Sequence, residues 1–404
     1  MIAATMRAFA FGAFAALGAA IAGCSGGGGD SSTPAPTPTP TQNTQAVIVE
    51  KGPGGFVNIL YTNVTICAPG ASSNCQTIDH IQVDTGSSGL RIIGSALSPA
   101  LALRQQTDAS GNPIVECTQF VDGFSWGPVK IADVRLAGEV ASSVPIQVIG
   151  DPAFAAVPPS CANTGPPENT AEAFGANGVL GVGLFIEDCG GACAQSAIPG
   201  TYYVCAASCQ PARIALAQQV QNPVALFATD NNGVIIMLPS IPATGAASAS
   251  GSLVFGIGTQ ANNAATGVTV LGTDPNTGLI TTVLNNQTYT GSYIDSGANL
   301  FSFGSSTLPP CRPQNADFYC PATLQNLTAT LRGTNGASAN VNFSVGNAET
   351  LVADPTLYAF NDLAGRNSDP ASFAWGLPFF FGRSVYTAIE GRSTPVGPGP
   401  YYAF

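Results

Sequence analysis

Two short turns of the same type constrain this chain more than any other feature. The first, Asp84-Thr85-Gly86-Ser87, follows a β-rich run, and the second, Asp295-Ser296-Gly297-Ala298, follows another. One such tetrapeptide is an ordinary bend. Each turn, however, offers a carboxylate, backbone N–H donors, a hydroxyl, and a glycine that lets another segment approach closely. Two of them predict a pair of catalytic carboxylates, Asp84 and Asp295.

Paired carboxylates of this kind have a defined chemistry. When two carboxyl groups are held about 3 Å apart they do not both ionise readily, so they share one proton. The ionised member takes a proton from a bound water while the protonated member hydrogen-bonds the substrate carbonyl. The titration belongs to the pair and not to either aspartate alone. This chemistry implies no metal and no organic cofactor.

The rest of the chain is typical of an exported all-β protein. Only 9% of the 404 residues are charged, and runs rich in Val, Ile, Thr and Tyr alternate with Gly, Asn, Pro and Ser clusters. The clearest helical candidate is 211–220, with 98–105 a weaker one. The length favours two packed units. We predict an all-β, two-lobed fold with a few short helices, in which 46–240 and 251–404 form the lobes and 241–250 connects them.

The beginning of the chain predicts export. One positive charge, Arg7, precedes an apolar run over residues 8–21, and Ile21-Ala22-Gly23-Cys24 follows. This resembles the lipobox of bacterial lipoproteins, which implies acylation of Cys24 and, because Ser25 follows it, the outer membrane of a Gram-negative cell. Ordinary signal cleavage and an uncleaved membrane helix are the alternatives.

The lipoprotein resemblance also divides the first part of the chain. It implies a signal peptide over residues 1–23, and it makes residues 24–45 the lipidated cysteine followed by a Gly-, Thr- and Pro-rich tether. We therefore expect contact with the membrane through the acyl chain, a monomeric body and a location in the cell envelope.

The cysteine count fits the same compartment. Eleven cysteines become ten once Cys24 carries lipid, and an even number in an exported protein predicts disulfides. Two pairs are close in sequence and one is distant, namely Cys67 with Cys75, Cys311 with Cys320, and Cys117 with Cys161. The other four form a compact quartet for which a zinc site is the alternative to disulfides, Cys189, Cys193, Cys205 and Cys209.

The segments around both turns resemble the active-site segments of pepsin-like aspartic peptidases. VDTGSSGLRI, around Asp84, is similar to the first such segment, and YIDSGANL, around Asp295, is similar to the second. Supporting segments follow in the family's order at 177–182, 251–258 and 375–387. The resemblance implies a two-lobed acid-protease fold and an endopeptidase that acts on polypeptides. In it, the neighbours of the two aspartates that brace and support them are Thr85, Gly86, Ser87, Ser296 and Gly297.

Three positions depart from the pepsin-like pattern. Ala298 replaces a Ser or Thr, as in retroviral-type members, which removes a hydroxyl from beside Asp295 and predicts a milder pH optimum than pepsin's. No tyrosine is present where pepsins carry one on a mobile hairpin. Phe120 or Trp126 is the candidate to cover the substrate, and a core role for either is the alternative. Arg91 stands where pepsins have tryptophan.

Other chemistry has less support. His80, the only histidine, lies four residues before Asp84 and shares its face if the strand is regular, but no GxSxG nucleophile motif accompanies it. A net charge of -11 with two lysines leaves no basic stripe for nucleic acid.

The whole chain, including its GPGPYYAF ending, also resembles an uncharacterised bacterial lipoprotein family, which implies no activity. The sequence therefore predicts a cell-envelope aspartic endopeptidase. The alternative is a catalytically silent, pepsin-like surface lipoprotein that binds a peptide or glycan in the same cleft.

Overall fold

The computed structural model of the chain describes residues 43–404. The predicted signal peptide, the lipidation site Cys24 and nearly all of the tether lie outside the described residues. Within 43–404, no helix has both the length and the apolar character needed to cross a membrane.

Short strands dominate the described chain. In order they are β1 Thr44–Val49, β2 Leu60–Cys67, β3 Cys75–Asp84, β4 Ser88–Ile93, β5 Arg104–Gln105, β6 Ile114–Gln119, β7 Phe124–Leu136, β8 Glu139–Ile149, β9 Gly178–Val182, β10 Tyr202–Cys205, β11 Cys209–Pro211, β12 Gly233–Met237, β13 Ala249–Phe255, β14 Val270–Gly272, β15 Ile280–Leu284, β16 Gln287–Ile294, β17 Phe301–Phe303, β18 Gln325–Arg332, β19 Ser338–Val345, β20 Ala364–Gly365, β21 Ser372–Trp375, β22 Ser384–Ala388, β23 Ser393–Thr394, β24 Gly397–Pro398 and β25 Tyr401–Ala403.

The helices are all very short. The α-helices are α1 Pro159–Ala162, α2 Ala171–Phe174, α3 Gly191–Gln195 and α4 Ala348–Leu351. Single 3-10 turns occupy Gly94–Ala96, Pro152–Phe154, Leu216–Gln218, Pro223–Leu226, Pro313–Asn315 and Leu377–Phe379. The predicted all-β class with a few short helices is confirmed.

Two large sheets organise the strands. A 16-stranded sheet has the order β11-β10-β6-β7-β8-β4-β9-β3-β2-β1-β13-β12-β22-β25-β14, with β5 paired to β7. A 7-stranded sheet has the order β19-β18-β15-β16-β21-β17-β20. The larger sheet continues past the predicted connection at 241–250, because β1 pairs with β13 and β12 pairs with β22.

The same strand arrangement occurs once in each sheet. β3, which ends at Asp84, is parallel to β9, and β9 is antiparallel to β4 on its other side. In the smaller sheet, β16 ends just before Asp295 and is parallel to β21, which is antiparallel to β17. Each aspartate therefore lies at the carboxyl end of a strand whose neighbour comes from much later in the chain.

A continuous apolar core links the two sheets. It contains Val83 and Leu180 from the first arrangement and Ile294 and Trp375 from the second. These strands are buried on their inner faces, as alternating or continuous apolar runs predict. The core fixes the strand ends from which both turns emerge.

Both predicted helices are wrong. In 211–220 only a 3-10 turn forms, because backbone groups of this segment pair with other elements, including Ala212 N–H with Tyr202 O and Ile214 N–H with Cys193 O. In 98–105 a turn is followed by β5, where Arg104 pairs with Ile131. Long-range backbone pairing outweighs the local preference in each case.

All ten cysteines among the described residues form disulfides. The pairs are Cys67 with Cys75, Cys117 with Cys161, Cys189 with Cys193, Cys205 with Cys209, and Cys311 with Cys320. The three pairs expected from spacing are confirmed. The zinc alternative for the quartet is wrong, since its four thiols are bonded in two pairs.

Candidate active site

Asp84 ends β3 in a deeply buried position. Its side chain is held by two donors of its own turn: Gly86 N–H bonds Oδ1 at 2.7 Å, and the Ser87 hydroxyl bonds Oδ2 at 2.5 Å. Only 2% of Asp84 is exposed. The two donors fix the orientation of this carboxyl group at the end of β3.

Asp295 occupies the corresponding place in the smaller sheet with fewer donors. Gly297 N–H bonds Oδ1 at 2.7 Å, whereas Oδ2 is buried and has no donor of its own among residues 43–404. Ala298, at the position that matches Ser87, has no hydroxyl to offer. The two turns are therefore alike in backbone and unequal in their donors.

The turns are braced against each other by reciprocal hydrogen bonds. Thr85 N–H donates to the Ser296 hydroxyl oxygen at 3.1 Å, and Ser296 N–H donates to Thr85 Oγ1 at 2.9 Å. Each hydroxyl then donates to a carbonyl of the opposite strand, Thr85 to Ile294 at 3.3 Å and Ser296 to Val83 at 2.8 Å. Because the brace is buried and symmetric, it fixes the distance between the two turns. The brace expected for Thr85 and Ser296 is present, as is the support that Ser87 gives to Asp84.

The brace places the two carboxyl groups in contact. A Cβ built on Gly86 would lie 2.6 Å from Cγ of Asp295, so only glycine lets the first turn approach the second carboxyl group so closely. Burial, the charge of Asp84 and a hydrogen bond with Asp84 raise the pKa of Asp295 well above its ordinary value, against the opposing effect of the Gly297 and Gly86 N–H groups. The pair therefore holds a proton at a pH where an exposed aspartate has lost its own.

Two tyrosines complete the surroundings of this pair. Burial and the charge of Asp295 raise the pKa of both Tyr293 and Tyr402 above the ordinary value. Both phenols therefore stay neutral at physiological pH. They lie near enough to Asp295 for its charge to act on them, and they add no charge of their own.

A family model for proteins of unknown function, DUF3443, matches residues 39–404. The chain belongs to that family. Comparison with curated proteins finds no match. The matched range contains both turns, so the carboxyl pair of this DUF3443 protein lies inside the family's own domain.

Sequence reasoning missed two polar residues that join the halves of the site. Gln82 donates from Nε2 to Gly297 O at 3.0 Å, and Asn58 donates from Nδ2 to Asn299 O and Phe360 O, each at 2.8 Å. Both side chains are almost completely buried. The one available signal was a glutamine between Ile81 and Val83, where a strand of this kind is otherwise apolar.

The structure does not place Phe120 and Trp126 as covers over the carboxyl pair. Phe120 packs edge to face on Phe174 in one apolar cluster. Trp126 lies in another, where it is 2% exposed and its Nε1 donates to Phe154 O at 2.8 Å. The expected covering role is corrected to a core role, because each ring is already enclosed by apolar neighbours.

The hairpin that carries these residues is held along both of its strands. β6 pairs with β10 and is joined through Cys117 to Cys161, and beside β7 Phe124 N–H donates to Pro166 O at 3.0 Å. It is anchored to neighbouring segments along both strands, unlike the mobile hairpin that the pepsin-like resemblance implies.

His80 is not on the face of Asp84. The β2–β3 register shifts between Thr62 and Val64, and His80 has a φ of 48°, so a bulge interrupts the alternation. Its ring pairs with Asp79 at 3.0 Å and Glu50 at 3.5 Å. The shared face predicted from a regular strand is wrong.

One further group brings potential metal ligands together, but it has no free ligand set. Cys311 and Cys320 are joined in a disulfide, and the neighbouring Glu349 pairs with Arg312 at 2.8 Å. Among residues 43–404, this group therefore offers no open metal site.

Proposed function

We propose that this protein is an aspartic endopeptidase of the cell envelope, with Asp84 and Asp295 as its catalytic residues. The observation that carries the proposal is the reciprocal Thr85–Ser296 brace, which holds two buried carboxyl groups in hydrogen-bond contact. Such a pair suits direct attack by water on a peptide carbonyl.

The unequal donors assign a role to each carboxyl group. Asp84 accepts hydrogen bonds from Gly86 N–H and from the Ser87 hydroxyl, so both of its oxygens are held in place and we assign it as the general base. Asp295 has the raised pKa and a buried Oδ2 with no donor, so it carries the proton and is the general acid. The pair starts the reaction with one proton between its two members.

In the first step a water molecule adds to the peptide carbonyl. Asp84 takes one proton from the water as its oxygen bonds to the carbonyl carbon, and Asp295 gives its proton to the carbonyl oxygen. The product is a neutral geminal diol, and the two carboxyl groups have exchanged protonation states.

In the second step the diol collapses and the C–N bond breaks. Asp84 returns its proton to the leaving nitrogen, and Asp295 takes the proton of one diol hydroxyl as the new carboxyl group forms. This restores the starting protonation of the pair without a covalent enzyme intermediate.

The repeated strand arrangement supports the pepsin-like part of the proposal. β3 with β9 and β4, and β16 with β21 and β17, place both aspartates on equivalent turns related by an internal repeat. This repetition fits the resemblance of VDTGSSGLRI and YIDSGANL to the two active-site segments of that family.

The decisive experiment incubates the purified full-length protein with a diverse peptide library between pH 3 and 8 and identifies products by mass spectrometry. We expect cleavage that Asp84→Asn and Asp295→Asn each abolish. Asp362→Asn is the matched control, because Asp362 is also buried and burial likewise raises its pKa. The proposal would be contradicted if the folded protein cleaves no peptide, or if its cleavage does not require both aspartates.

The envelope location is part of the proposal and has its own test. Cells that express the protein are fed an alkyne-tagged fatty acid, and the label on the protein is measured beside that on Cys24→Ser. We expect label on the original chain only and recovery of that chain with outer membranes. Equal labelling of both would contradict acylation at Cys24.

The burial of the pair favours one second candidate, a peptide- or glycan-binding surface lipoprotein. Asp295 is 0% exposed, so a substrate reaches it only after part of its surroundings moves. Two surface cavities of about 430 and 470 Å³ are lined by other residues, among them Arg332 and His80. Binding of peptides or glycans that is equally strong in Asp295→Asn, together with no cleavage, would favour this candidate.

A further inference from the structure

Arg91 is a fully buried cation close to the first turn. It lies on β4, three residues after Ser88, and is 1% exposed. Its Nη1 donates to Ser88 O at 2.9 Å, and its Nε donates to Thr118 Oγ1 at 2.9 Å. Nη2 bonds Glu116 at 2.6 Å and Asp188 at 3.0 Å. One guanidinium thus joins three separate elements.

The acidic side of this cluster is a second carboxyl pair. Burial and the charge of Glu116 raise the pKa of Asp188 well above its ordinary value, although Arg91 opposes the shift. Glu116 is 1% exposed, and its Oε2 has no hydrogen-bond donor among residues 43–404. A hydrogen bond with Glu116 acts in the same direction on the pKa of Asp188, so Asp188 keeps its proton more readily than an exposed aspartate does.

The cation itself stays charged. Burial acts to lower the pKa of Arg91, but the charges of Glu116 and Asp188 outweigh it and raise the pKa above the ordinary value. Tyr202, on β10, donates its hydroxyl to Asp188 Oδ1 at 2.7 Å and accepts from Val220 N–H at 2.8 Å. Asp188 is therefore held by Tyr202 as well as by Arg91.

The cluster reaches the proposed active site through residues 87 and 88. The Ser87 hydroxyl donates to Asp84 Oδ2, one of the two carboxyl groups of the proposed active site. Ser88, the next residue, accepts from Arg91 and donates its own hydroxyl to Phe185 O at 2.7 Å. The segment of Phe185 is thus tied to the first turn at Ser88, and through Asp188 to Arg91.

That segment also contacts residues far along the chain. Ile186 N–H donates to Glu390 Oε1 at 3.0 Å, and Glu390 N–H donates to Leu184 O at 2.8 Å. A Cβ on Gly278, just before β15, would lie 2.9 Å from Leu184. Movement of Arg91 would therefore displace the Ser87 turn, β6 and the segment 184–188.

We propose that Arg91 is a positioning residue of the proposed active site, which holds the Ser87 hydroxyl on Asp84 by anchoring Ser88 to β6 and to the Asp188 segment. The inference depends on the proposed function for its catalytic readout. A rigid shell of buried, fully bonded groups is the usual means of holding a catalytic side chain within a fraction of an ångström. Lysine has one compact donor group and does not reproduce the planar fork of arginine at three elements.

The test is a double-mutant cycle with Arg91→Lys, Ser87→Ala and the combined variant. If Arg91 acts through Ser87, Arg91→Lys lowers kcat by about 10- to 100-fold with little change in KM. It also moves the acid limb of the pH profile in the same direction as Ser87→Ala. In the Ser87→Ala background, Arg91→Lys then adds little.

The control is Arg383→Lys, in the other half of the molecule. Arg383 is partly buried and donates from Nη1 to Phe379 O at 2.6 Å, so Arg383→Lys also removes a guanidinium that bonds the backbone, away from the turn. We expect its kcat and pH profile to match those of the unchanged protein. Effects of Arg91→Lys and Ser87→Ala that are fully additive would overturn the proposal.

A further variant controls for the possibility that an unpaired buried charge in Arg91→Lys prevents folding. Arg91→Met, Glu116→Gln and Asp188→Asn together remove the cation and both acids, and we expect this triple variant to fold and to show the same fall in kcat as Arg91→Lys. Folded triple variant with the original kcat would also overturn the proposal.

A measurement without substrate separates this inference from the proposed function. The carboxyl carbon of Asp295, labelled with ¹³C and assigned by its loss in Asp295→Asn, is titrated by NMR. We expect its midpoint to shift alike in Arg91→Lys and Ser87→Ala. If the original protein does not cleave peptides, the proposed function fails, yet this shift still tests positioning. An unshifted midpoint in folded Arg91→Lys would refute it.

Discussion

Removing the Ser87 hydroxyl is expected to move the whole pH profile of peptide cleavage upward. The hydroxyl donates to Asp84 Oδ2 at 2.5 Å and so stabilises the ionised member of the pair. A hydrogen bond to a charged group contributes about 1.5–3 kcal/mol. Since one pKa unit corresponds to about 1.4 kcal/mol, the acid limb in Ser87→Ala should rise by about one to two pH units.

The reverse change is available at the other turn. Ala298 occupies the position that matches Ser87, so Ala298→Ser offers Asp295 the hydroxyl that it lacks. A donor to Asp295 favours its ionised form, so both limbs should move toward lower pH. Because Ala298 is 1% exposed, thermal unfolding of the variant should be measured beside its kinetics.

The assay is kcat/KM for one library-derived peptide at closely spaced pH values from 3 to 9. The reasoning requires opposite shifts in the two variants. Shifts in the same direction, or acid limbs that stay where they were in both, would refute the assignment of Ser87 and Ala298 as the residues that set the imbalance between the turns.

Three further predictions concern stability and are checked by denaturant or thermal unfolding. Arg91→Met leaves Glu116 and Asp188 buried without their cation and should lower the free energy of unfolding by about 3–5 kcal/mol. The triple variant with Glu116→Gln and Asp188→Asn should recover most of that stability. Equal losses of stability in the two variants would contradict the charge argument. Asp295 has a raised folded pKa, so its contribution is fully present below the unfolded pKa and is lost as pH rises toward the folded value. The stability of Asp295→Asn should therefore equal that of the original protein near pH 4 and exceed it near pH 8. Parallel curves of stability against pH for the two proteins would exclude this linkage. Thr85→Val leaves Ser296 N–H without its acceptor and should lower the free energy of unfolding by about 1–3 kcal/mol. The control Thr62→Val should lower it less, because the Thr62 hydroxyl only donates to Ala46 O.

The candidate site could be predicted from sequence wherever its parts are local. An aspartate, a hydroxyl residue and a glycine in consecutive positions form the turn, and the N–H of the third residue reaches the carboxylate of the first in both copies. The short disulfides follow from the same locality, since Cys67 and Cys75 face each other across the β2–β3 hairpin. Such features depend on a few neighbouring residues and survive in almost any fold.

Other parts depended on partners far along the chain. Residues 211–220 have a local helical preference, but their N–H and C=O groups bond to other elements instead. Phe120 and Trp126 have the character of cleft residues, yet the segments around Phe174 and Phe154 cover them. A local sequence pattern does not predict which distant segment will pack on a side chain and bury it.

The sequence by itself determined the all-β class, the two carboxylate turns and the local disulfides, because strand preference, turn chemistry and cysteine spacing act over a few residues. Only the tertiary structure decided which atoms of Thr85 and Ser296 bond each other across more than two hundred residues of chain, and that Arg91 binds Glu116 and Asp188. Those contacts are set by the packing of whole sheets around a shared core. The energies of these contacts depend on burial, and burial arises only when distant segments of the chain pack together.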